Sequence, residues 1–533
     1  MRRFSSYGPI NPKLHYYAPR KELIEKGYNQ LLGEDPEEGG HYITVWAPRQ
    51  CGKSWFVLEV LKRLDQLQEF DVVSIDLEHL KSVNDISRIL SSLTRDISRE
   101  IGKKIPPIKT LEEFQELFTR GTLEKPVILI LDEFDALEET IINSLVSVFR
   151  NIYIRKQKEL RKPLEERWYL LHGIALIGVR SVLGVENVKG SPFNVQRSVH
   201  VPNLTYEEVT GLFQWYEKES GQTVEKEVVD RLYYETNGQP GLTCWFGELL
   251  TEGFEDYEVD KNKPITMRNF EIVYAAATYA LPNNNILNII SKAKEEANKE
   301  KILEMFQTEE KLVFRFDNKV MNALYMNGIA DKEVKDRTKY YLKFSCPFVQ
   351  KRLFNYFSDE IFSEMGTLVE PFTNLDDVIT DTHLNIKNLV ELYRQYLVKN
   401  KEWLFKNAPR RSDMKIFESV YHFNLFSYLN EFLRKRDGSV YPEFPTGNGK
   451  IDLIIKYRDK VYGIELKSFT DRAGYQRALR QAAQYGKQLK LEEIFLLNFV
   501  TSIDEETRKT FEKDYTDEET KVTVAPIFIE TGS

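Results

Sequence analysis

Cysteine is scarce in this chain. Cys51, Cys244 and Cys346 are the only three, and they stand far apart in 533 residues. That excludes a disulfide framework and a cysteine-built zinc cluster. Histidine is thin as well, at seven residues, too few for a metal protein built on imidazole. Long apolar runs are missing. Stretches such as Val127 to Leu131 hold about five or six residues where a membrane-spanning helix needs about 20, so no membrane partner is expected. The opening Met1-Arg-Arg-Phe-Ser-Ser-Tyr-Gly8 lacks the apolar stretch of a secretory signal. The expected location is therefore the cytoplasm, with thiols kept reduced. A basic excess is also missing: 74 basic residues face 82 acidic ones, net −8. A uniformly basic nucleic-acid coat is excluded, while a local basic patch is not. What is present, 42% hydrophobic and 29% charged residues, is ordinary globular composition and excludes a disordered or collagen-like polymer. At roughly 150 residues per domain the length suggests about three or four domains.

The first third alternates apolar strands with helices. Strands are expected at His41 to Trp46, Asp71 to Asp76, Val127 to Leu131 and Gly173 to Gly178, with helices at about Lys53 to Leu67, Val83 to Ile101 and Ile141 to Tyr153. Continuous apolar strands between helices indicate a parallel sheet covered on both faces. From about Tyr206 the chain reads as short helices punctuated by Pro264, Pro282 and Pro347. Residues 366–400 look like a connecting segment. From about 410 an α+β pattern begins: a helix at Met414 to Lys435, a hairpin at Lys450 to Lys467, a helix at Tyr475 to Leu489, and strands at Glu493 to Val500 and Lys521 to Ile529.

Between the first strand and the first long helix lies Ala47-Pro48-Arg49-Gln50-Cys51-Gly52-Lys53-Ser54. This matches the phosphate-binding loop, with Ala in place of the first Gly. Such a turn aims successive backbone N–H groups at a phosphate, and the helix N-terminus adds a positive dipole end. Gly52 permits close approach, Lys53 would reach the β- and γ-phosphates of ATP, and Ser54 would join a Mg²⁺ shell. The alternative is an ordinary strand–turn–helix with a chance Gly-Lys-Ser. A second signal lies about 80 residues on, where Val127 to Leu131 ends in Asp132-Glu133. Acids at the end of a buried strand need a reason, because unpaired charge is costly to bury. Asp132 would hold the magnesium and Glu133 would activate the attacking water; helix capping by Asp132 or Asp135 is the bland alternative. Arg180, just past the fourth strand, is placed to sense the γ-phosphate or to be a plain surface arginine.

These motifs, with Leu131-Asp-Glu-Phe-Asp135, Ser191-Pro-Phe-Asn194 and Asn237-Gly238-Gln239-Pro240-Gly241, resemble the AAA-like ATPases of the signal-transducing branch with numerous domains, over roughly residues 10–360. The resemblance implies an ATP-controlled switch that assembles into a homo-oligomer. It implies a lid in which Gln239 and Pro240 help to read the nucleotide, and a winged-helix unit over Val320 to Phe357. No motif identifies an intermolecular arginine finger.

The C-terminal hairpin carries the other constellation, Asp452 and Glu465-Leu466-Lys467. If Arg458-Asp459 is a two-residue loop, Tyr457 faces Lys460 and, counting inward, Asp452 faces Glu465. Opposed side chains have Cβ atoms about 5 Å apart on one face of the sheet. Two acids there repel each other, which makes sense around a divalent cation. Lys467 lies two residues on and shares that face, where it would stabilise the charge of a transition state. A charged, solvated hairpin face would show the same pattern. The stretch resembles the PD-(D/E)xK nuclease superfamily over roughly 405–533, with Ile451 in place of the Pro. The resemblance implies Mg²⁺ held by Asp452 and Glu465, an N-terminal acid at Glu418, and a Gln-x-x-x-Tyr helix motif at Gln481 and Tyr485. Lys399, Lys401, Lys406, Arg410, Arg411 and Lys415 precede that domain's first helix or lie at its start and suit phosphate contacts.

The fold class expected is α/β. A P-loop parallel-sheet ATPase core occupies 1–205, a helical lid and winged-helix-like region 206–365, a linker 366–405, and an α/β restriction-endonuclease-like domain 406–533. The function expected is an ATP-driven switch controlling a Mg²⁺-dependent nuclease on nucleic acid, DNA first, with defence against foreign DNA as the setting by analogy. The competing expectation is a nucleotide-regulated scaffold whose nuclease-like domain binds without cutting.

Overall fold

The computed structural model describes residues 1–178, 196–255, 257–307, 312–335, 337–434, 436–443, 452–469 and 471–532, the side chains of Leu164, Gln196, Gln307, Lys335 and Asp452 excepted. The chain forms two compact units, one of Met1–Leu281 with Phe316–Gly328, the other of Pro282–Arg315 with Ile329–Ser533.

The first unit runs α1 (Lys21–Leu32), β1 (Tyr42–Trp46), α2 (Lys53–Leu64), β2 (Asp71–Asp76), α3 (Ile86–Glu100), α4 (Leu111–Leu117), β3 (Val127–Asp132), α5 (Glu139–Glu159), β4 (Leu171–Gly178), β5 (Gln196–His200), then α6 (Tyr206–Ser220), α7 (Lys226–Thr236), α8 (Pro240–Glu252) and α9 (Met267–Tyr279). Its sheet has the order β2-β3-β4-β1-β5, and every pairing is parallel. The reason is legible in β3. Val127, Leu129 and Leu131 join one core with Leu145 and Phe149 of α5. Ile128 and Ile130 join another with Ile24 of α1 and Val57 and Val60 of α2. A strand that feeds two cores must be apolar at every position, and its parallel neighbours need crossover helices on both faces. The expected parallel sheet is therefore present. β5 was not expected: its sequence Gln-Arg-Ser-Val-His is polar because it lies at the sheet edge.

The second unit takes α10 (Asn284–Ala293) and α11 (Glu296–Gln307). The chain returns to the first unit for α12 (Lys319–Met326) and then stays in the second. There follow β6 (Ala330–Lys335), β7 (Lys339–Phe344), α13 (Pro347–Ile361), α14 (Ile386–Leu404), α15 (Glu418–Arg434), β8 (Gly438–Glu443), β9 (Asp452–Tyr457), β10 (Lys460–Ser468), α16 (Arg472–Gln488), β11 (Glu493–Val500), α17 (Glu505–Phe511), β12 (Tyr515–Thr516) and β13 (Thr523–Glu530). The six-stranded sheet has the order β12-β13-β11-β10-β9-β8. The β8-β9-β10 meander and the β12-β13 pair are antiparallel, while β10-β11 and β11-β13 are parallel. α16 packs Leu479, Ala482 and Ala483 onto Ile494, Leu496 and Val524 of one face.

Two expectations meet a different arrangement. Residues 366–405, expected as connecting chain, hold α14. Leu389, Val390, Tyr393, Tyr396 and Leu397 recur at helical spacing and are buried, and the Tyr393 hydroxyl donates to Asn424 Oδ1 at 3.0 Å. The stretch Val320 to Phe357, expected as one winged-helix unit, holds α12, the β6-β7 hairpin and α13, but α12 belongs to the first unit and the rest to the second. No helix among the described residues is long and apolar enough to cross a membrane.

Candidate functional sites

The phosphate-loop candidate grows out of β1. Ala47 and Cys51 are buried, while Gln50 (φ 56°) and Gly52 (φ 87°) turn the backbone left-handed before α2 begins at Lys53. A Cβ on Gly52 would meet nothing within 4 Å, so it is the positive φ, not space, that favours glycine there. No side chain caps α2, which leaves its first N–H groups turned to the loop. Lys53 is buried, and its Nζ donates to the Ala47 carbonyl (3.0 Å) and the Pro48 carbonyl (3.2 Å). Ser54 and Arg49 are exposed and Pro48 is half-buried. Burial pushes the Cys51 thiol up to about 11 against the field of Lys53, so this cysteine stays a neutral, packed thiol.

Across the sheet, Asp132 ends β3 and Glu133 follows at φ 49°. Asp132 Oδ1 accepts the Glu133 N–H at 2.9 Å. Burial raises the pKa of both carboxyls. Asp76 and Asp135 add to the rise at Asp132, Asp135 adds to it at Glu133, and Lys53 opposes it at both. Asp76 is the cross-strand partner of Asp132 on β2. Asp135 packs so closely on the last residue of β4 that a Cβ on Gly178 would lie 2.3 Å from its Oδ1. Four acids and Lys53 therefore share one electrostatic neighbourhood at the C-terminal end of the sheet. Asp76 and Asp135 were not singled out as site residues in the sequence, because strand order, which makes Asp76 a neighbour, is not written in it.

The α7–α8 elbow touches the loop directly. Gln239 Nε2 donates to the carbonyls of Arg49 (3.0 Å) and Gln50 (3.4 Å), and the Gly241 N–H donates to the Gln50 carbonyl (3.0 Å). Gln239 also caps α8, accepting the Leu242 N–H, with Pro240 in the first turn. On its other side the elbow holds residues 203–204. Leu204 N–H donates to the Gly238 carbonyl (2.8 Å), and Asn203 Nδ2 to that of Asn237 (3.0 Å). Arg180 and Ser191 to Asn194 lie outside the described residues.

In the second unit the hairpin register is the one counted from the sequence. Tyr457 pairs with Lys460, and the Cα of Asp452 lies opposite that of Glu465. On its other side Asp452 pairs with Glu443 of β8, so three acids occupy one rung of three strands. The Asp452 side chain is outside the described set. Glu465 and Lys467 are only 1% and 3% exposed, with Nζ 2.8 Å from Oε1. His422 of α15 is buried nearby and feels the Lys467 charge. Burial, and then the Lys467 ammonium, pushes its pKa down to about 3. Glu443 forms an ion pair with Lys351 at 3.6 Å. Glu418, the first residue of α15, is half-buried and lines a cavity whose walls do not include Glu465 or Lys467. Gln481 sits half-buried on α16, one turn before the buried Tyr485. The alternative of a charged, solvated hairpin face does not describe Glu465 and Lys467, which are both buried.

Among the described residues no three His, Cys, Asp or Glu side chains are arranged to hold a metal ion. The phosphate loop does not require such a cage, because Mg²⁺ beside a triphosphate takes only one or two protein oxygens. Ser54 and Asp132 are of that kind. At Glu465 the chemistry also fits, since among the described residues its buried Oε1 has the Lys467 ammonium at 2.8 Å but no aligned hydrogen-bond donor.

Residues 6–252 match the model of a family described as an AAA-like domain. No curated protein matches the chain. Among solved structures, the chain is similar to the Aeropyrum pernix ORC1 protein in complex with DNA, at 14% identity and TM-score 0.33 over 64% of this chain and 93% of that one. It is similar to a Walker-type ATPase of Pyrococcus abyssi, at 14% identity and TM-score 0.38 over 66% and 99%. It is similar to Cdc6p from Pyrobaculum aerophilum, at 14% identity and TM-score 0.37 over 67% and 97%.

Proposed function

We propose that the chain is an ATP-controlled switch that governs a metal-dependent nuclease in its second unit. The observation that carries the cutting half is the register of β9 and β10, which sets Asp452 opposite Glu465, with Lys467 on the same strand 2.8 Å from Glu465. The switch half is supported by the AAA-like domain of residues 6–252 and by a buried Lys53 facing Asp132 and Glu133.

In this reading the backbone of Ala47 to Gly52 and the side chain of Lys53 bind the phosphates. Lys53 exchanges its two carbonyl partners for phosphate oxygens, a stronger, charge-assisted contact. Ser54 and Asp132 hold Mg²⁺. Glu133 orients the attacking water and accepts its proton, a task suited to a carboxylate whose pKa burial has raised. Gln239 and Pro240 report the state of the loop through the Arg49 and Gln50 carbonyls. In the second unit Asp452 and Glu465 hold the divalent cation, and Lys467 stabilises the charge that builds on the scissile phosphate. Glu418 and Gln481 bind and orient the strand. A bound divalent cation supplies Lewis-acid stabilisation of charge on phosphoryl oxygens. Nucleotide-dependent assembly into a homo-oligomer and a role in defence against foreign DNA complete the reading.

The near-complete burial of Glu465 and Lys467 favours a second reading, in which the unit binds nucleic acid without cutting. The full chain incubated with plasmid, linear DNA and RNA in Mg²⁺ separates the two. Cutting by the parent and none by a folded Glu465→Leu/Lys467→Met variant is the expected result. Cutting by that variant removes the nuclease assignment, and no cutting by the parent leaves the binding reading.

A further inference from the structure

The second unit holds a cavity of about 410 Å³, within the range of about 300–1,000 Å³ usual for ligand pockets. Its floor is apolar. Phe405, Tyr421 and Phe499 are buried there, with ring centroids 4.9 Å apart for Phe405 and Tyr421 and 6.3 Å for Tyr421 and Phe499. Phe469 is half-buried at its edge. The rim is cationic: Lys401, Lys406, Arg410, Arg411 and Lys415, against the three acids Glu402, Asp413 and Glu418. A net positive rim on a chain of net charge −8 is a local reversal of sign.

The rim is also built. Arg410 to Ile416 closes as a turn by an antiparallel bridge. The Arg411 N–H donates to the Lys415 carbonyl (2.7 Å) and the Met414 N–H to the Arg411 carbonyl (2.9 Å). Three cations thus ride on one short, hydrogen-bonded loop. Arg411 meets Asp413 at 3.6 Å, but among the described residues Lys401, Lys406 and Lys415 form no ion pair. The back wall is the C-terminal ends of β11 and β13, tied by the Thr531 N–H to the Val500 carbonyl (2.8 Å) and the Gly532 N–H to the Thr501 carbonyl (3.1 Å).

We propose that this cavity takes the phosphorylated terminal nucleotide of a single nucleic-acid strand, with the phosphate against Arg410, Arg411 and Lys415 and the base over the aromatic floor. An aromatic floor, its rings tilted by 56° between Phe405 and Tyr421 and by 29° between Tyr421 and Phe499, under a cationic rim is the chemistry that pairs base contact with phosphate capture. The hydrogen-bonded ends of β11 and β13 on one side are the reason the proposal commits to a strand end rather than a continuous duplex. The proposal deepens the nuclease reading and rests on it for the choice of a polymer over a free nucleotide.

The test is equilibrium binding of the full chain, in EDTA, to a short thymidylate strand. The strand carries a terminal phosphate or a terminal hydroxyl, with blunt duplex and thymidine monophosphate as competitors. The terminal phosphate is expected to tighten binding about tenfold, the worth of one or two charge-assisted contacts. Arg411→Glu/Lys415→Glu should abolish that preference. Lys509→Glu/Lys513→Glu, an equal charge change elsewhere, should keep it, with circular dichroism checking that each variant folds. No preference in the parent, or a preference that survives the rim reversal, overturns the proposal. Competition by the mononucleotide as strong as that of the strand overturns the polymer assignment. An end preference without cleavage in Mg²⁺ sinks the nuclease reading alone, and cleavage without an end preference sinks this inference alone.

Discussion

The Glu465–Lys467 pair sets a sharp test, because both groups are buried and they hold each other. At 2.8 Å and an effective dielectric of about 20, their attraction is about 6 kcal/mol. Withdrawing each ion from water costs several kcal/mol, so the intact pair is close to break-even. Removal of one partner is not. Lys467→Met strands a buried carboxylate and should cost about 3–5 kcal/mol near neutral pH. Glu465→Leu/Lys467→Met removes both charges and should lie within about 1 kcal/mol of the parent. With two units, global unfolding is not a single transition. Native-state hydrogen exchange of the amides of β10 and β11 reads the local opening energy instead. A single substitution that costs under about 1 kcal/mol, or a double variant as unstable as the single, refutes the reasoning. The double variant also serves function, since it separates loss of chemistry from loss of fold.

Other outcomes follow from the first unit. Glu133→Gln should keep ATP binding, measured by calorimetry, and lose hydrolysis by about 100-fold or more; loss of binding alone contradicts the role of base. Gly238→Ala puts a Cβ 2.0 Å from the Leu204 carbonyl oxygen at φ 66°. It should cost about 3 kcal/mol in the local opening energy read by hydrogen exchange of the α7 and α8 amides; a neutral result contradicts a tightly held elbow. His172 is buried, with its pKa pushed down to about 4 by burial and then by Lys156. As pH falls below the unfolded value the unfolded chain takes a proton that the folded chain refuses. Stability should therefore drop by about 2 kcal/mol by about pH 5, and His172→Gln should flatten that slope.

Much of the fold is readable from local rules. β3, which feeds two cores, is apolar from Val127 to Leu131, and the phosphate loop sits where strand gives way to helix. The hairpin register follows from a two-residue turn, so Asp452 and Glu465 face each other as counted. Other features depend on tertiary neighbours. β8 carries Pro442 and escaped notice; it is tolerated because β8 is the edge of its sheet. Alternation told which face Lys467 shares with Glu465, but not that both would be buried and that His422 would feel the Lys467 charge. Gln239 could be placed in a lid, but its contacts with the Arg49 and Gln50 carbonyls depend on how α8 folds back onto the loop. Asp76 joins the acidic neighbourhood only because β2 pairs with β3.

The central claim is that nucleotide at the phosphate loop governs cutting by the second unit. Its most direct measurement is the rate of DNA cleavage in Mg²⁺ by the parent chain and by Lys53→Ala, each with ATP, with ADP and with neither. The account expects the parent's rate to change between ATP and ADP and the variant's rate to ignore both. Cleavage that is equal in all six reactions contradicts it.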